Sequence, residues 1–264
     1  MSTIALKKGI IYGPVNSRRL GTSLGVNIMP FDKKICSFDC LYCQYGWTSY
    51  HTNVIERNFD LPSVGDISDT LERALITYTV NLITNNKGEY PLYITFSGNG
   101  EPTLHPQFPQ IVDEVIKIRN KVSPLSQTTI LSNSTKVNEP DIKTALSKLD
   151  VRIMKLDAGN EDTFRSYNYP AEGISLDNIT EGLAALKDVT IQTLFTGGKL
   201  GNYNDKNISD WIIRLKQISP IKVQLYSLDR GYPSEYITHI NKEMLVKIKL
   251  LLEKQNIASE VYER

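Results

Sequence analysis

The chain predicts an α/β fold, an open partial (β/α)6 barrel. Two observations carry this. Short β-rich runs alternate with helical patterns from about residue 24 to the C-terminus, and residues suited to chemistry rather than packing collect just after each run. Strand–helix alternation of this kind favours a parallel sheet with right-handed crossovers. Six units are too few to close an eight-stranded barrel, so a roughly three-quarter barrel is expected.

The expected strands cover residues 24–29, 92–97, 128–132, 151–156, 189–195 and 222–228. Between them, apolar residues three and four apart mark the buried stripes of helices. Ile67, Leu71, Leu75, Tyr78 and Leu82 form the first stripe, and Ile111, Val115 and Ile118 the second. Ile142, Leu146 and Leu149 follow, then Ile179, Leu183 and Leu186. Trp211, Leu215 and Ile218 form another, and Leu245, Ile248 and Leu252 the last. Start signals agree, with Pro140 suited to a first helical turn and Ser175 and Asn241 to N-caps. No repeat, low-complexity tract or linker divides the chain. Residues 1–264 are therefore read as one domain, with 1–22 as an N-terminal extension packing on the rim.

A hydrophobic content of 41% and a charged content of 22% are those of a globular protein with a real core. Thirty basic and 29 acidic residues leave a net charge of +1. That balance does not indicate a protein that grips long nucleic acid, although a local basic patch is not excluded. No apolar stretch approaches membrane-spanning length, and Ile4-Ala5-Leu6 before Lys7-Lys8 is too short for a signal-peptide core. Free thiols without an export signal lead us to expect a cytoplasmic protein.

The three cysteines of the chain, Cys36, Cys40 and Cys43, lie within eight residues as C-x3-C-x2-C. A four-iron cluster takes one ligand per iron, so three thiolates would leave one iron with an open position. Zinc competes, with His51 as a fourth ligand, but zinc ligands more often come as two separated pairs. A disulfide framework fits an odd, tightly spaced set poorly.

In parallel sheets the reactive side lies beyond the C-terminal ends of the strands. The cysteine loop follows the first expected strand, Gly98-Asn99-Gly100-Glu101-Pro102 the second and Asn133 the third. Asp157 follows the fourth, residues 197–201 the fifth and Arg230 the sixth. Six loops converging on one rim make a single large site the expectation.

With these residues the chain resembles the radical S-adenosylmethionine (radical SAM) enzymes. Cys36, Cys40, Tyr42 and Cys43 match the C-x3-C-x-aromatic-C pattern, and Ser97 to Pro102 match the glycine–glutamate–proline motif as G-N-G-E-P. The chain also resembles a small single-cluster branch related to the wyosine tRNA-base synthases. Tyr12-Gly13-Pro14-Val15, Ser17-Arg18-Arg19-Leu20-Gly21, Ser23 to Asn27, Lys155 to Gly159, Gln192 to Phe195 and Val223 to Ser227 carry this likeness. It implies a partial barrel of the radical SAM type, one [4Fe–4S] cluster on Cys36, Cys40 and Cys43, and SAM bound at the open iron. Reductive cleavage would give a 5′-deoxyadenosyl radical that takes hydrogen from an unidentified substrate, with a flavodoxin- or ferredoxin-type reductant as electron source.

The same resemblance assigns SAM contacts to Tyr42, Gly98, Asn99, Gly100, Glu101, Ser132, Asn133, Lys155, Asp157 and Gln192. Glu101 suits the SAM ammonium, and the glycines allow close backbone approach. Asn133 also fits a local turn, Tyr42 an ordinary core aromatic, and Lys155 and Asp157 could pair with each other. Gln224, Tyr226 and Arg230 form a polar stripe that suggests a lined cavity, since such a stripe is costly unless satisfied. Arg18 and Arg19 could close the rim over an anionic substrate or stand as a solvated pair. With every cysteine used, no set remains for an auxiliary cluster. Alternatives are a glycyl-radical-type activator, a tRNA-base-modifying enzyme, or a non-enzymatic iron–sulfur or zinc protein.

Overall fold

The computed structural model describes residues 3–55, 59–85 and 90–263, without the side chains of 82–85. Leu82, the last residue of the first expected stripe, therefore has a side chain outside the described residues. The elements run β1 (Ile11–Ser17), β2 (Gly21–Val26), β3 (Ile35–Cys36), β4 (Tyr50–His51), α1 (Val64–Asn85) and β5 (Tyr93–Phe96). After a short 3-10 turn at Pro102–Leu104 come α2 (Phe108–Val122), β6 (Gln127–Ser132), α3 (Pro140–Lys148), β7 (Val151–Lys155), α4 (Glu161–Asn168) and α5 (Leu176–Ala184). The chain closes with β8 (Val189–Leu194), α6 (Asp205–Ile218), β9 (Lys222–Tyr226), α7 (Lys242–Glu253) and β10 (Ser259–Tyr262).

Eight strands form one sheet in the order β1-β2-β5-β6-β7-β8-β9-β10, parallel except that β1 runs antiparallel to β2. The sheet curls through 203°, a little over half a barrel rather than three quarters. All six strands expected from the sequence are present. β1, β3, β4, β10 and α4 are additional. The segment 1–22 is more than an extension on the rim, because β1 lies inside it and prolongs the sheet.

Helix starts follow local chemistry. The side chains of Asn160, Ser175, Asn204 and Asn241 each accept a backbone N–H from the first turn, and Pro140 opens α3 where a missing N–H costs nothing. Strand residues such as Leu24, Ile94, Phe96, Ile130, Ile191 and Val223 are fully buried against the helices. Trp211 of α6 meets Phe195 edge-on at 5.2 Å, and its indole N–H donates to the Leu156 carbonyl at 3.0 Å. This packing fixes the C-terminal ends of the strands, and so the loops that leave them. Among the described residues no helix is long and apolar enough to cross a membrane.

Candidate active site

The loop after β2 carries all three cysteines, and its shape is set through Ile35. The Ile35 N–H donates to the Asn99 carbonyl at 3.3 Å, and its carbonyl accepts the Glu101 N–H at 3.1 Å. A β-carbon on Gly100 would lie 1.7 Å from that carbonyl oxygen, and Gly100 has φ +132°, so only glycine fits. On the opposite side the Leu41 N–H donates to the Tyr167 carbonyl at 3.1 Å, and Asp39 Oδ1 accepts the Thr48 N–H at 2.6 Å. Two amides reach the sulfurs: Asn133 Nδ2 lies 3.5 Å from Cys36 Sγ, and Asn168 Nδ2 lies 3.5 Å from Cys40 Sγ.

Burial pushes the Cys36 thiol up to about 12 and the Cys40 thiol up to about 11. Metals bind the thiolate form, which a cation beside the sulfurs favours. One cation is built in. Lys34 is only 3% exposed and its Nζ donates to the Gly46 carbonyl at 2.8 Å. Burial works to strip its charge, but negative charge on Cys43, Cys36 and Cys40 outweighs this and raises its pKa.

Cys36, Cys40 and Cys43 all line one cavity of about 490 Å³, within the usual range for a bound small molecule. Tyr42, Gly98, Gly100, Glu101, Ser132, Asn133, Lys155, Gln192, Tyr226, Arg19 and Arg230 line it too. Glu101 organises one wall. It is 2% exposed and accepts four hydrogen bonds: from Thr103 N (3.1 Å), Thr103 Oγ1 (2.7 Å), Ser132 Oγ (2.9 Å) and Asn133 N (2.6 Å). Burial pushes its carboxyl above the usual range while those bonds oppose the shift.

The facing wall is a chain of polar side chains. Lys155 Nζ donates to Tyr226 Oη at 2.8 Å and to Asp157 Oδ1 at 3.4 Å, and lies 4.7 Å above the Tyr42 ring. Burial opposes its charge, but Asp157 and Tyr226 more than compensate and raise its pKa. Tyr226 donates to Gln192 Oε1 at 3.1 Å, and Gln192 Nε2 donates to Gln224 Oε1 at 3.1 Å. The Arg19 guanidinium stacks 4.5 Å from the Tyr226 ring, and Arg230 Nη1 donates to Gln44 Oε1 at 2.5 Å.

Three expected contact residues stand outside the cavity lining. The Asn99 side chain is spent on backbone, bonding Lys7 N and O at 2.7 and 2.8 Å and Pro30 O at 2.8 Å. Asp157 lies behind the wall, where it accepts the Tyr42 hydroxyl, Asn168 Nδ2 at 3.0 Å and Leu194 N at 2.9 Å. Gln224 is buried beneath Gln192. Lys155 pairs with Asp157, and Asn133 Oδ1 accepts Thr135 N at 3.1 Å in a local turn, while both Lys155 and Asn133 also line the cavity.

Sequence reasoning did not single out Lys34, Asn168, Tyr12, Gly25 or Ser97 for this site. The Tyr12 ring packs against Gly25, where a β-carbon would come within 2.1 Å of it, and its hydroxyl meets Ser97 Oγ at 2.6 Å. Tyr12, Gly25 and Ser97 fall within segments that carry the family resemblance, and Lys34 lies two residues before the first cysteine, but only the fold brings them to the site.

The donor set fits an iron–sulfur cluster better than zinc. The three cysteines share one short loop, and His51, the fourth ligand a zinc site would need, is exposed on β4. Thiolates on separate corners of a cluster need not converge on one point.

A family model for the radical SAM superfamily matches residues 33–213. A UPF0026 protein of Methanocaldococcus jannaschii is 32% identical over 244 residues, covering 90% of this chain and 70% of that protein. A protein of Brachyspira hyodysenteriae described as GTPase Obg is 32% identical over 256 residues, covering 94% of this chain. The chain spans only 34% of that relative, and it contains no two glycines at the spacing of a G-x4-G-K phosphate loop. Among solved structures, TYW1 with a lysine–pyruvate adduct bound aligns with TM-score 0.62 at 18% identity, covering 88% of this chain and 73% of that one. A radical SAM methyltransferase from Sphaerobacter thermophilus aligns with TM-score 0.64 at 14% identity, covering 91% and 66%. At such identities the likeness is one of fold. The family match joins the cysteine triplet and the curled sheet: the chain belongs to the radical SAM superfamily of enzymes, among its UPF0026 proteins.

Proposed function

We propose that the chain holds one [4Fe–4S] cluster on Cys36, Cys40 and Cys43, binds SAM in the cavity beside it, and takes a hydrogen atom from a second ligand in that cavity. The observation that carries this reading is that every cysteine of the chain lines the same cavity as Glu101 and the two glycines before it. When bound, the cluster and SAM supply a 5′-deoxyadenosyl radical, given one electron from a reductant of flavodoxin or ferredoxin type.

The chain's own residues bind and orient. Glu101 is held rigid by its hydrogen bonds and presents a carboxylate to the SAM ammonium. Gly98 and Gly100 keep that edge free of side chains. Lys155, fixed between Asp157 and Tyr226, offers a cation to the SAM carboxylate or ribose hydroxyls. Tyr42 and Tyr226 form part of the cavity wall.

Anaerobic reconstitution tests this. The expected product carries about four iron and four sulfide per chain. With dithionite and SAM it yields 5′-deoxyadenosine, measured by chromatography, and Cys40→Ser yields none. A colourless protein with stoichiometric zinc, or a clustered protein no better than Cys40→Ser, would overturn the reading.

A further inference from the structure

Resting on that reading, we propose that the second ligand carries an anionic group, a phosphate or a carboxylate, received by Arg19 and Arg230. The cavity is lined by six cationic side chains and two carboxylates. Three of the cations face an acidic group: Lys34 the thiols, Lys155 Asp157 and Arg18 Asp229. Lys7, Arg19 and Arg230 do not, and of these three only the two arginines present forked donors. Among the described residues neither makes an ion pair: Arg19 rests on the Tyr226 ring, and Arg230 is anchored by the neutral amide of Gln44.

These two arginines come from opposite ends of the sheet. Arg19 sits in the β1–β2 turn and Arg230 in the loop after β9, with five strands between β1 and β9 in the sheet order. The turn nonetheless reaches β9, because Arg18 pairs with Asp229 and Arg19 stacks on Tyr226. Both guanidiniums thus line the same cavity, each held by a neutral partner that positions it without cancelling its charge. Arg forks match phosphate and carboxylate oxygens bidentately, and a concave cationic wall focuses its field on an entering anion. Of the two lining carboxylates, Glu101 is assigned to the SAM ammonium and Asp229 is paired with Arg18, so neither is left for a cationic second ligand.

The test is direct binding to the reconstituted protein saturated with SAM, by anaerobic calorimetry at low and high salt. Inorganic pyrophosphate and citrate are the probes, with a neutral polyol as control. We expect one or both anions to bind, more weakly at high salt. Arg19→Gln and Arg230→Gln should each weaken that binding on the order of tenfold or more, while the affinity for SAM stays within about twofold. Pyrophosphate alone binding would identify phosphate, citrate alone carboxylate. The proposal fails if neither anion binds, if the polyol binds as well, if the double variant retains wild-type affinity, or if SAM displaces the anion. Unchanged thermal melting of the variants excludes misfolding. Binding is read without turnover, so an arginine-dependent anion site without 5′-deoxyadenosine formation would sink the catalytic reading and leave this one standing.

Discussion

Gly100 packs against Ile35 so closely that a β-carbon would stand 1.7 Å from the Ile35 carbonyl oxygen. The cysteine loop and the glycine–glutamate loop are thereby seated on each other backbone to backbone, and neither can shift alone. Gly100→Ala should therefore cost about 2–4 kcal/mol of stability and most of the iron content. Gly173→Ala is the control, since its β-carbon meets nothing within 4 Å and only the positive φ is strained, for about 1 kcal/mol. Urea unfolding and iron assay compare the two; equal costs would refute a seated interface.

Asp157 and Lys155 form a buried pair whose removal depends on order. Asp157→Asn leaves a buried ammonium without its carboxylate and should cost about 3 kcal/mol. Adding Lys155→Met removes that orphaned charge, so the double variant should be more stable than Asp157→Asn alone. A double-mutant cycle measures this, and strict additivity would mean the pair is not coupled.

Lys34 is the fixed positive charge beside the thiols. Lys34→Gln should lower cluster occupancy and make the cluster harder to reduce, moving its potential more negative by on the order of tens of millivolts. Lys34→Arg keeps the charge and should recover part of both. Anaerobic spectroelectrochemistry reads the shift; a potential equal to wild type in Lys34→Gln would remove the electrostatic role.

His105 supplies a pH dependence away from the cavity. It is 3% exposed, its Nε2 is 3.1 Å from the Pro62 carbonyl, and burial lowers its pKa from 6.5 to about 4. The unfolded chain takes up the proton first as pH falls, so stability is complete above about 6.5 and drains away toward 4. The loss between pH 7 and pH 5 should be about 2 kcal/mol. His105→Gln should lose correspondingly less over that interval in urea titrations.

The six central strands were legible because each is a β-branched or apolar run buried on both faces, as in Thr128 to Ser132 or Val189 to Leu194. β1 was not, because Gly13-Pro14 interrupts it and most of its residues are exposed. β10 is short and half-buried, and α4 is a single short polar stretch ending in an αL residue at Tyr169. In the site, the thiol triplet stood out by its spacing and Glu101 by the resemblance of its loop motif, and both line the cavity. Asn99 and Asp157 had the right chemistry at the right loops, yet backbone groups and neighbouring side chains claimed them. Tyr12 reaches the cavity through Ser97, 85 residues away, a contact that local pattern does not encode.

The β1–β2 turn has one more implication. It crosses to the far side of the curled sheet through the tips of two arginines, without a strand ladder there. Partly solvated ion pairs of this kind are worth about 0–1 kcal/mol. Opening the rim at that seam would break no β-ladder hydrogen bond, so it is expected to cost less than separating any two paired strands.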